Sequence, residues 1–325
     1  MHTPYTDQEA LHKLESMADG AFICFASFED RCLQSYNTLK TFQFSKRIIL
    51  FFEEFLFSTE RNKQILNKNG DAEEVMLKNG NPIFSVDVLL GIFSEFSRLN
   101  IQHILIDITC FNREILLMFL QIINAKNKDF NKIYFIYNSA KDMNKDFLST
   151  GILDVHSVLG YGGELSPLKR DHLIVILGFE IERANKIIEL YEPDRVTMAI
   201  GKKSRSINET LHRKNRDTLE IIKKNIAIGR YSTIPLDVVE IAIDDALEAK
   251  KDLDRVIKNY PEHNNIIAPL NTKLSTVGAG FCAMKNPSIQ ICYSQMAMYN
   301  CDDYSSPSND FYIIDMKEHF HKLGL

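Results

Sequence analysis

Two short turns that share a glutamate and an arginine recur in the chain, one in each half. They are FEDR (28–31) and FEIER (179–183), and each follows an apolar run. A carboxylate at a helix start is favoured by the helix dipole, and an arginine beside it can hold that carboxylate or a ligand phosphate. The pattern therefore has two interpretations: a capping carboxylate with a local ion pair, or a ligand site in which Arg31 and Arg183 contact phosphate.

A second pair of turns has the composition of an anion site. The segments IDITCFNRE (106–114) and APLNTKLSTVGAG (268–280) each lead from an apolar run into a polar turn with a cation, before a helical pattern begins. Backbone N–H groups at a helix start, with hydroxyl, amide and cationic side chains, suit a phosphate. A capped helix with a solvated lysine would have the same composition. The candidate ligand-binding residues in these turns are Asp107, Thr109, Arg113, Asn271, Thr272 and Lys273.

A basic run, GKKSRS (201–206), follows another apolar run in the second half of the chain. Basic runs usually form solvated surface. The functional alternative is a clamp for the phosphates of a nucleotide or oligonucleotide, in which Lys202 would take part.

Three glutamates are candidates for acid–base chemistry, because a buried or paired carboxylate can activate water or stabilise a developing positive charge. They are Glu29, Glu114 and Glu180. Cys110 lies at a helix entry, where a thiolate would be stabilised. The histidines and cysteines show no metal-ligand spacing, and no G-x-G-x-x-G or Walker motif is present. We therefore predict no metal and no cofactor apart from a possible nucleotide ligand. The sequence does not decide whether the protein is an enzyme.

The overall composition is that of a packed globular protein of about two domains. The chain has 325 residues, of which 45% are hydrophobic and 25% charged. Its net charge of −5 argues against bulk binding of duplex nucleic acid. The cysteines are scattered and no apolar stretch approaches the length of a membrane span, so we expect a cytoplasmic protein without membrane contact.

Short β-branched or aromatic runs alternate with helical patterns along the chain. This alternation predicts βαβ units with parallel strands, hence an α/β fold with two Rossmann-like lobes. Polar residues that follow the strands would then gather at the carboxyl edge of each sheet. The predicted strands are 21–26, 47–52, 103–109 and 132–137 in the first half, 172–177, 195–200, 264–270 and 289–294 in the second, and 311–315 near the end.

The two halves match in order, which indicates internal duplication. Beside the FEDR-like turns, SKRIILFF matches PDRVTMAI and KIYFIYNS matches SIQICYSQ. SVDVLLGIFSEF also matches LDVVEIAIDDAL, and we predict a helix for each. Glycine and proline in VHSVLGYGGELSPLKRD predict a linker. The predicted domains are 1–154 and 172–325, joined by 155–171. Charged inserts at 53–80 and 202–230 are predicted to be helical.

The turn Pro269-Leu270-Asn271-Thr272-Lys273 resembles the ligand-binding turn of CARF domains, which contacts cyclic oligonucleotides. Tandem lobes of this kind are similar to SAVED domains, the fused CARF-like pairs of prokaryotic antiviral signalling. The resemblance implies that Thr272, Lys273, Thr109 and Arg113 face a shared cleft. Leu270 and Asn271 stand where the family turn has glycines.

The segment AFICFASFEDR (21–31) resembles the opening strand and turn of TIR domains. TIR enzymes cleave NAD with a glutamate further along the chain. The resemblance implies that Glu114 is a candidate for that role.

Three functions are compatible with these features. The leading hypothesis is a module that binds a nucleotide or small oligonucleotide, such as a cyclic oligonucleotide, in an inter-lobe cleft and acts on an effector protein in trans. The first alternative is a hydrolase for the glycosidic bond of a nucleotide or NAD. The second is a non-catalytic subunit that docks a nuclease or ATPase, for which the aromatic residues near 51–57 would furnish an interface.

Overall fold

The computed structural model describes residues 4–144, 147–229 and 231–325. These residues form two compact units. The first unit is Met1–Asp142 together with Cys301–Leu325, and the second is Met143–Asn300.

The strands and helices alternate for most of the chain. The strands are β1 (Ala21–Phe25), β2 (Lys46–Phe52), β3 (Ala72–Leu77), β4 (His103–Asp107), β5 (Lys132–Met143), β6 (Ser149–Ser157), β7 (Arg170–Ile176), β8 (Arg195–Gly201), β9 (Leu236–Ile241), β10 (His263–Pro269), β11 (Gln290–Tyr299) and β12 (Ser305–Asp315). The helices are α1 (Asp7–Leu14), α2 (Gln34–Thr38), α3 (Leu56–Leu66), α4 (Pro82–Arg98), α5 (Arg113–Lys126), α6 (Ile181–Tyr191), α7 (Glu209–Ile228), α8 (Ala246–Lys258), α9 (Lys273–Lys285) and α10 (Met316–Leu323).

The described strands form two sheets with the same arrangement. The first sheet has the order β12-β5-β4-β1-β2-β3 and the second β6-β11-β10-β7-β8-β9. Strands β1 to β5 pair in parallel, as do β7 to β11, whereas β6 pairs antiparallel with β11. The predicted α/β fold of two Rossmann-like lobes is confirmed. Each predicted strand is present, but β5, β11 and β12 extend five or six residues beyond the predicted bounds, and β3, β6 and β9 were not predicted as strands.

Each sheet has one edge strand that follows, in the chain, a strand of the other sheet. The chain leaves β5 of the first sheet and forms β6 of the second, and it later leaves β11 of the second sheet and forms β12 of the first. As a result, β6 lies beside β11 in the second sheet, and β12 lies beside β5 in the first. The two sheets have exchanged their edge strands.

The apolar runs form strands because helices cover both faces of each sheet. On one face of the first sheet, Phe22, Cys24 and Ala26 pack with residues of α1, α3 and neighbouring strands, and all are buried. On the matching face of the second sheet, Leu173 and Val175 pack with α6 and α7. Strands covered on both sides lose the alternation of polar and apolar residues.

The predicted domain boundaries differ from the units of the structure. The segment 155–171 lies within the second unit, because Val155 to Ser157 end β6 and pair with β11. The final strand, β12, belongs to the first unit, where it lies beside β5. Its exchange between sheets cannot be read from local sequence. The glycines of 155–171 do mark a turn, since Gly160 and Gly163 have φ of 84° and 72°.

Two predicted helices are wrong in part. The insert 53–80 contains α3 but also β3, and the segment LDVVEIAIDDAL forms β9 and then the start of α8. Both strands lie at sheet edges and are partly exposed. Their charged residues do not alternate with apolar ones, since Glu73 and Glu74 are adjacent in β3 and Asp237 and Glu240 are three residues apart in β9. That spacing imitates the pattern of an amphipathic helix. The counterpart SVDVLLGIFSEF is helical as predicted, and so is most of 202–230.

Candidate functional site

The predicted turns lie at the switch point of each sheet. In the first sheet the chain runs from β1 outward to β2 and β3, and from β4 outward to β5 on the other side. In the second sheet β7 and β10 occupy the positions that β1 and β4 have in the first. The crevice between two such strands, at their carboxyl ends, is where open α/β sheets bind ligands. All four candidate turns therefore follow the strands that border a switch point.

The first FEDR-like turn forms a buried ion pair. The Oε2 atom of Glu29 accepts hydrogen bonds from Nε and Nη2 of Arg31, at 3.0 and 2.8 Å. The Nη1 atom of Arg31 donates to the carbonyl of Asn138 at 3.2 Å, and its Nε lies 2.9 Å from Oγ of Ser305. Ser305 also donates its hydroxyl to Glu29. Glutamate, arginine and serine thus form one closed group, at the first residue of β12.

The second turn repeats this group in the second unit. Arg183 Nη1 lies 3.2 Å from Oε2 of Glu180, and both side chains are buried. Ser149 donates its hydroxyl to Glu180, and Nη2 of Arg183 lies 3.4 Å from the same hydroxyl oxygen. Ser149 is the first residue of β6. In both units, therefore, the turn after the first strand is bonded to the start of the exchanged strand.

These contacts give the FEDR-like turns an internal role. A buried carboxylate needs a partner charge, and a buried arginine needs acceptors for its N–H groups. Glu29 and Glu180 supply the charge, and the serine and backbone oxygens supply acceptors. The local ion pair, one of the two interpretations of the pattern, is present in both copies. Ligand contact by Arg31 and Arg183 stays a prediction.

In each unit an asparagine also donates a hydrogen bond to the backbone of the turn after the first parallel strand. The Nδ2 atom of Asn62 in α3 donates to the carbonyl of Ser27 at 2.9 Å. In the second unit Nδ2 of Asn215 in α7 donates to the carbonyls of Leu177 and Gly178, at 2.8 and 3.0 Å. The two asparagines therefore help to fix the backbone of these turns.

Asp107 ends β4 beside the Glu29–Arg31 pair. Its Oδ1 accepts the backbone N–H of Thr109 at 2.9 Å, and its side chain is buried. Burial raises the pKa of Asp107 to about 6, and the hydrogen bonds from Thr109 offset this in part. Thr109 Oγ1 in turn accepts the backbone N–H of Asn138 at 2.9 Å. Asp107 therefore takes up a proton in mildly acid solution, unlike an ordinary aspartate.

The neighbouring candidates of the first unit begin α5. Asn112 caps the helix, since its Oδ1 accepts the N–H of Ile115 at 2.7 Å. Arg113 is the first helical residue and is half-buried, whereas Glu114 is buried within the first turn. The Cys110 Sγ lies 4.0 Å from Oε1 of Glu29. Burial raises the pKa of Cys110 well above its ordinary value, so the structure does not stabilise the thiolate that its helix-entry position predicted.

The matching turn of the second unit begins α9. Thr272 caps the helix, with Oγ1 accepting the N–H of Ser275 at 3.2 Å and donating to the carbonyl of Ile243 at 2.5 Å. Asn271 accepts the N–H of Thr272 at 2.9 Å and donates to the carbonyl of Leu177 at 2.5 Å. Lys273 is the first helical residue, as Arg113 is in α5. Both helices that start at a switch point thus open with a cation.

The basic run after β8 is paired with carboxylates. Lys202 Nζ lies 2.6 Å from Oδ2 of the buried Asp252, and Arg205 Nη1 lies 3.1 Å from Oδ1 of Asp244. Lys203 is largely exposed. Part of this cationic charge is therefore neutralised within the unit.

Sequence reasoning missed Ser149 and Ser305. Each is bonded to a turn that is distant in sequence, and each begins a strand that was not predicted at that point. The described residues contain no cluster of histidine, cysteine or carboxylate groups that would hold a metal ion. In the same residues no helix is long and apolar enough to cross a membrane.

Comparisons with known proteins do not assign the chain to a family. No protein-family model and no curated protein matches it. The cytoplasmic domain of a prokaryotic cation chloride cotransporter is 8% identical over 88% of this chain and 97% of its own, with a TM-score of 0.27. Leucoanthocyanidin reductase from Vitis vinifera, solved with NADPH, is 10% identical over 94% and 99%, with a TM-score of 0.25. A ketoreductase domain from the bacillaene assembly line is 15% identical over 69% and 58%, with a TM-score of 0.20. At such TM-scores these likenesses carry no argument about function.

Proposed function

We propose that the chain binds a nucleotide or small oligonucleotide through the turns at the carboxyl ends of its sheets. The observation that carries this proposal is the position of α5 and α9. They start directly after β4 and β10, at the switch point of each sheet, and each has a capped N-terminus with a cation as its first residue. A cation at this position opposes the helix dipole, which costs a few tenths of a kcal/mol to about 1 kcal/mol. A bound phosphate would offset that cost in both units.

The frame around each turn favours a preorganised site. The caps Asn112 and Thr272 are fixed by their own hydrogen bonds, so the helix starts are held in place without a ligand. Phosphate groups bind well to backbone N–H groups held in this way. Each unit has one such turn and therefore one place for a phosphate group.

A finer proposal follows from the resemblance of residues 269–273 to the CARF turn. In that proposal the ligand is a cyclic oligonucleotide, the chain works in antiviral defence, and an effector protein responds in trans. Thr272, Lys273, Thr109 and Arg113 would be the contacting residues.

The proposal is tested by titrating the full chain with mono-, di- and cyclic oligonucleotides and NAD, followed by chromatography of each mixture. For a ligand that binds, Lys273→Ala and Arg113→Ala are each expected to weaken the affinity about tenfold, the usual scale for one charge-assisted contact. Lys251→Ala is the matched control, since this lysine is exposed in α8 and pairs with Glu248. Equal affinity of both variants and the control would refute phosphate binding at these turns. Release of free base from an intact nucleotide would favour the hydrolase, and Glu29→Gln and Glu114→Gln would then locate its carboxylate.

A further inference from the structure

A buried polar network lies at the amino ends of the second sheet, at the edge opposite to its candidate turn. His172 in β7 is fully buried. Its Nδ1 lies 2.9 Å from Oδ1 of Asn265 in β10, and its Nε2 lies 2.7 Å from Oγ1 of Thr197 in β8. Both partners are buried as well. Each ring nitrogen has a polar partner, so a neutral imidazole satisfies the site with one donor and one acceptor.

Charged and titratable groups face this imidazole from the neighbouring strands. Arg195 begins β8, and its Nη1 lies 2.5 Å from Oδ2 of Asp237 in β9. Tyr260 donates its hydroxyl to the same oxygen at 2.6 Å, and its ring centre lies 4.7 Å from that of His172. The ring of His263, the first residue of β10, lies 6.2 Å from His172. These four groups line the network.

The first unit has apolar residues at the equivalent positions. Ala21 pairs with Lys46 and Ile104 in the first sheet, as His172 pairs with Arg195 and Asn265 in the second.

The next step of the register agrees with this equivalence. Ile48 pairs with Glu73 as Thr197 pairs with Asp237, and Lys46 and Glu73 form an ion pair at 2.5 Å, as Arg195 and Asp237 do. The set His172, Thr197 and Asn265 thus replaces Ala21, Ile48 and Ile104, each of which is 0% exposed.

The comparison of the two units shows whether the fold requires polar side chains at these three positions. The same strand order forms around three apolar side chains in the first unit, so the polar network is not a requirement of the fold. Buried polar groups generally stabilise a core less than apolar groups of similar size, even when they are hydrogen-bonded. Of the three side chains of the network only His172 can take up a proton in this pH range, and its apolar counterpart in the first unit cannot.

Protonation of His172 opposes the closed network. Burial lowers the pKa of His172 to about 4, from an ordinary value of 6.5, and the positive charge of Arg195 acts in the same direction. When the strand ends open, the imidazole regains its ordinary value. The closed state is therefore fully stable above pH 6.5, and it loses stability as the pH falls from 6.5 towards 4.

We propose that the His172–Thr197–Asn265 network is an acid-sensitive switch that opens the amino ends of β7, β8 and β10 while the first sheet stays closed. Opening frees the segment from Tyr260 to Asn265, because the rings of Tyr260 and His263 pack against the imidazole. The equivalent residues of the first unit, Ala21, Ile48 and Ile104, hold no titratable group, so acid-driven opening at these positions is expected in the second unit alone.

The test is amide hydrogen exchange of the full chain near pH 5 and near pH 7.5, corrected for the intrinsic exchange rates. From the two pKa values, the opening equilibrium of residues 170–176, 195–201 and 263–269 is expected to be about 30-fold larger near pH 5. Residues 21–25, 46–52 and 103–107 serve as the internal control. Their opening equilibrium is expected not to increase near pH 5, because the raised pKa of Asp107 favours the closed first sheet in acid. A parallel loss of protection in both sheets would overturn the proposal.

Two variants identify the responsible group. The triple substitution His172→Ala, Thr197→Ile and Asn265→Ile installs the residues of the first unit, and it is expected to abolish the selective acid response. His172→Gln keeps a donor and an acceptor but binds no proton in this range, and it decides the matter if the triple variant does not fold. Retention of the acid response in the glutamine variant would show that another group is responsible.

Discussion

The first and second units connect their strands and turns through the same types of residue, which we call the frame of each unit. They differ in other polar residues that they bury. Both anchor the exchanged strand with glutamate, arginine and serine, and both hold the adjoining turn with an asparagine. Two other buried titratable groups, one in each unit, have an apolar residue at the equivalent position of the other unit. Asp107 ends β4 where Ala268 lies in β10, and His172 lies in β7 where Ala21 lies in β1.

The difference allows each unit to serve as the control for the other. A residue type present at equivalent places in both units contributes to the frame, since the two units share little else there. A polar residue whose counterpart is apolar is dispensable for the frame, and it therefore becomes a candidate for function or regulation. By this criterion the FEDR-like turns belong to the frame, whereas Asp107 and the His172 network do not.

The largest effect is expected from removing the arginine of either anchor. Arg31→Ala and Arg183→Ala each leave a buried glutamate without its partner charge, which costs about 3–5 kcal/mol in the free energy of unfolding. Because the anchor belongs to the frame, the two variants should lose similar amounts. Urea unfolding followed by circular dichroism measures both.

Arg216→Ala is the matched control for this pair. Arg216 forms a 2.6 Å ion pair with Glu240, but both side chains are about half exposed. Such a surface pair contributes at most about 1 kcal/mol. A loss at Arg31 or Arg183 no larger than that of the control would mean that the anchors do not stabilise the frame.

The sequence was sufficient to predict the parts of the frame that depend on local pattern. Apolar runs such as 103–109 and 172–177 identified the buried strands, and the parallel arrangement placed the following turns at one edge. Helix-like spacing concealed β9, because its charged residues Asp237 and Glu240 are three residues apart, as on one face of a helix.

The exchange of β6 and β12 could not be predicted, for a different reason. Ser149 and Ser305 are short polar residues in segments without a strong strand pattern. Their roles come from pairing with distant strands. Such contacts depend on the tertiary fold and leave no periodic trace in the chain. The equivalence of His172 and Ala21 likewise became visible only through the strand registers.

An intermediate effect is expected from Asp107→Asn. Burial raises the pKa of Asp107 to about 6, compared with 3.8 for an ordinary aspartate. The folded state therefore binds the proton more tightly than the unfolded state, so the carboxylate lowers stability above pH 6 and this cost disappears as the pH falls towards 3.8. The amide keeps an acceptor for the N–H of Thr109 and carries no charge. The variant should be more stable than the natural chain by up to about 3 kcal/mol near pH 8 and equally stable near pH 4.

Unfolding of this variant across the pH range sharpens the comparison between the units. The carboxyl of the first unit favours folding in acid, and the imidazole of the second opposes it, so the two have opposite signs. Asp87→Asn, at an exposed position in α4, is the control and should show no such pH dependence. A constant difference between natural and Asp107→Asn chains from pH 4 to 8 would contradict the assigned proton.

The smallest effect is expected from the serines that begin the exchanged strands. Ser149→Ala and Ser305→Ala remove a hydroxyl that donates to a glutamate and leave the Glu–Arg ion pair in place. A hydrogen bond to a charged group contributes about 1.5–3 kcal/mol, so each variant should lose less than the arginine variant of the same anchor. In amide exchange, Ser305→Ala should reduce protection in β12 and leave β6 unchanged, whereas Ser149→Ala should do the reverse. A loss in both strands from either variant would mean that the two anchors act as one, and the units would then no longer serve as independent controls.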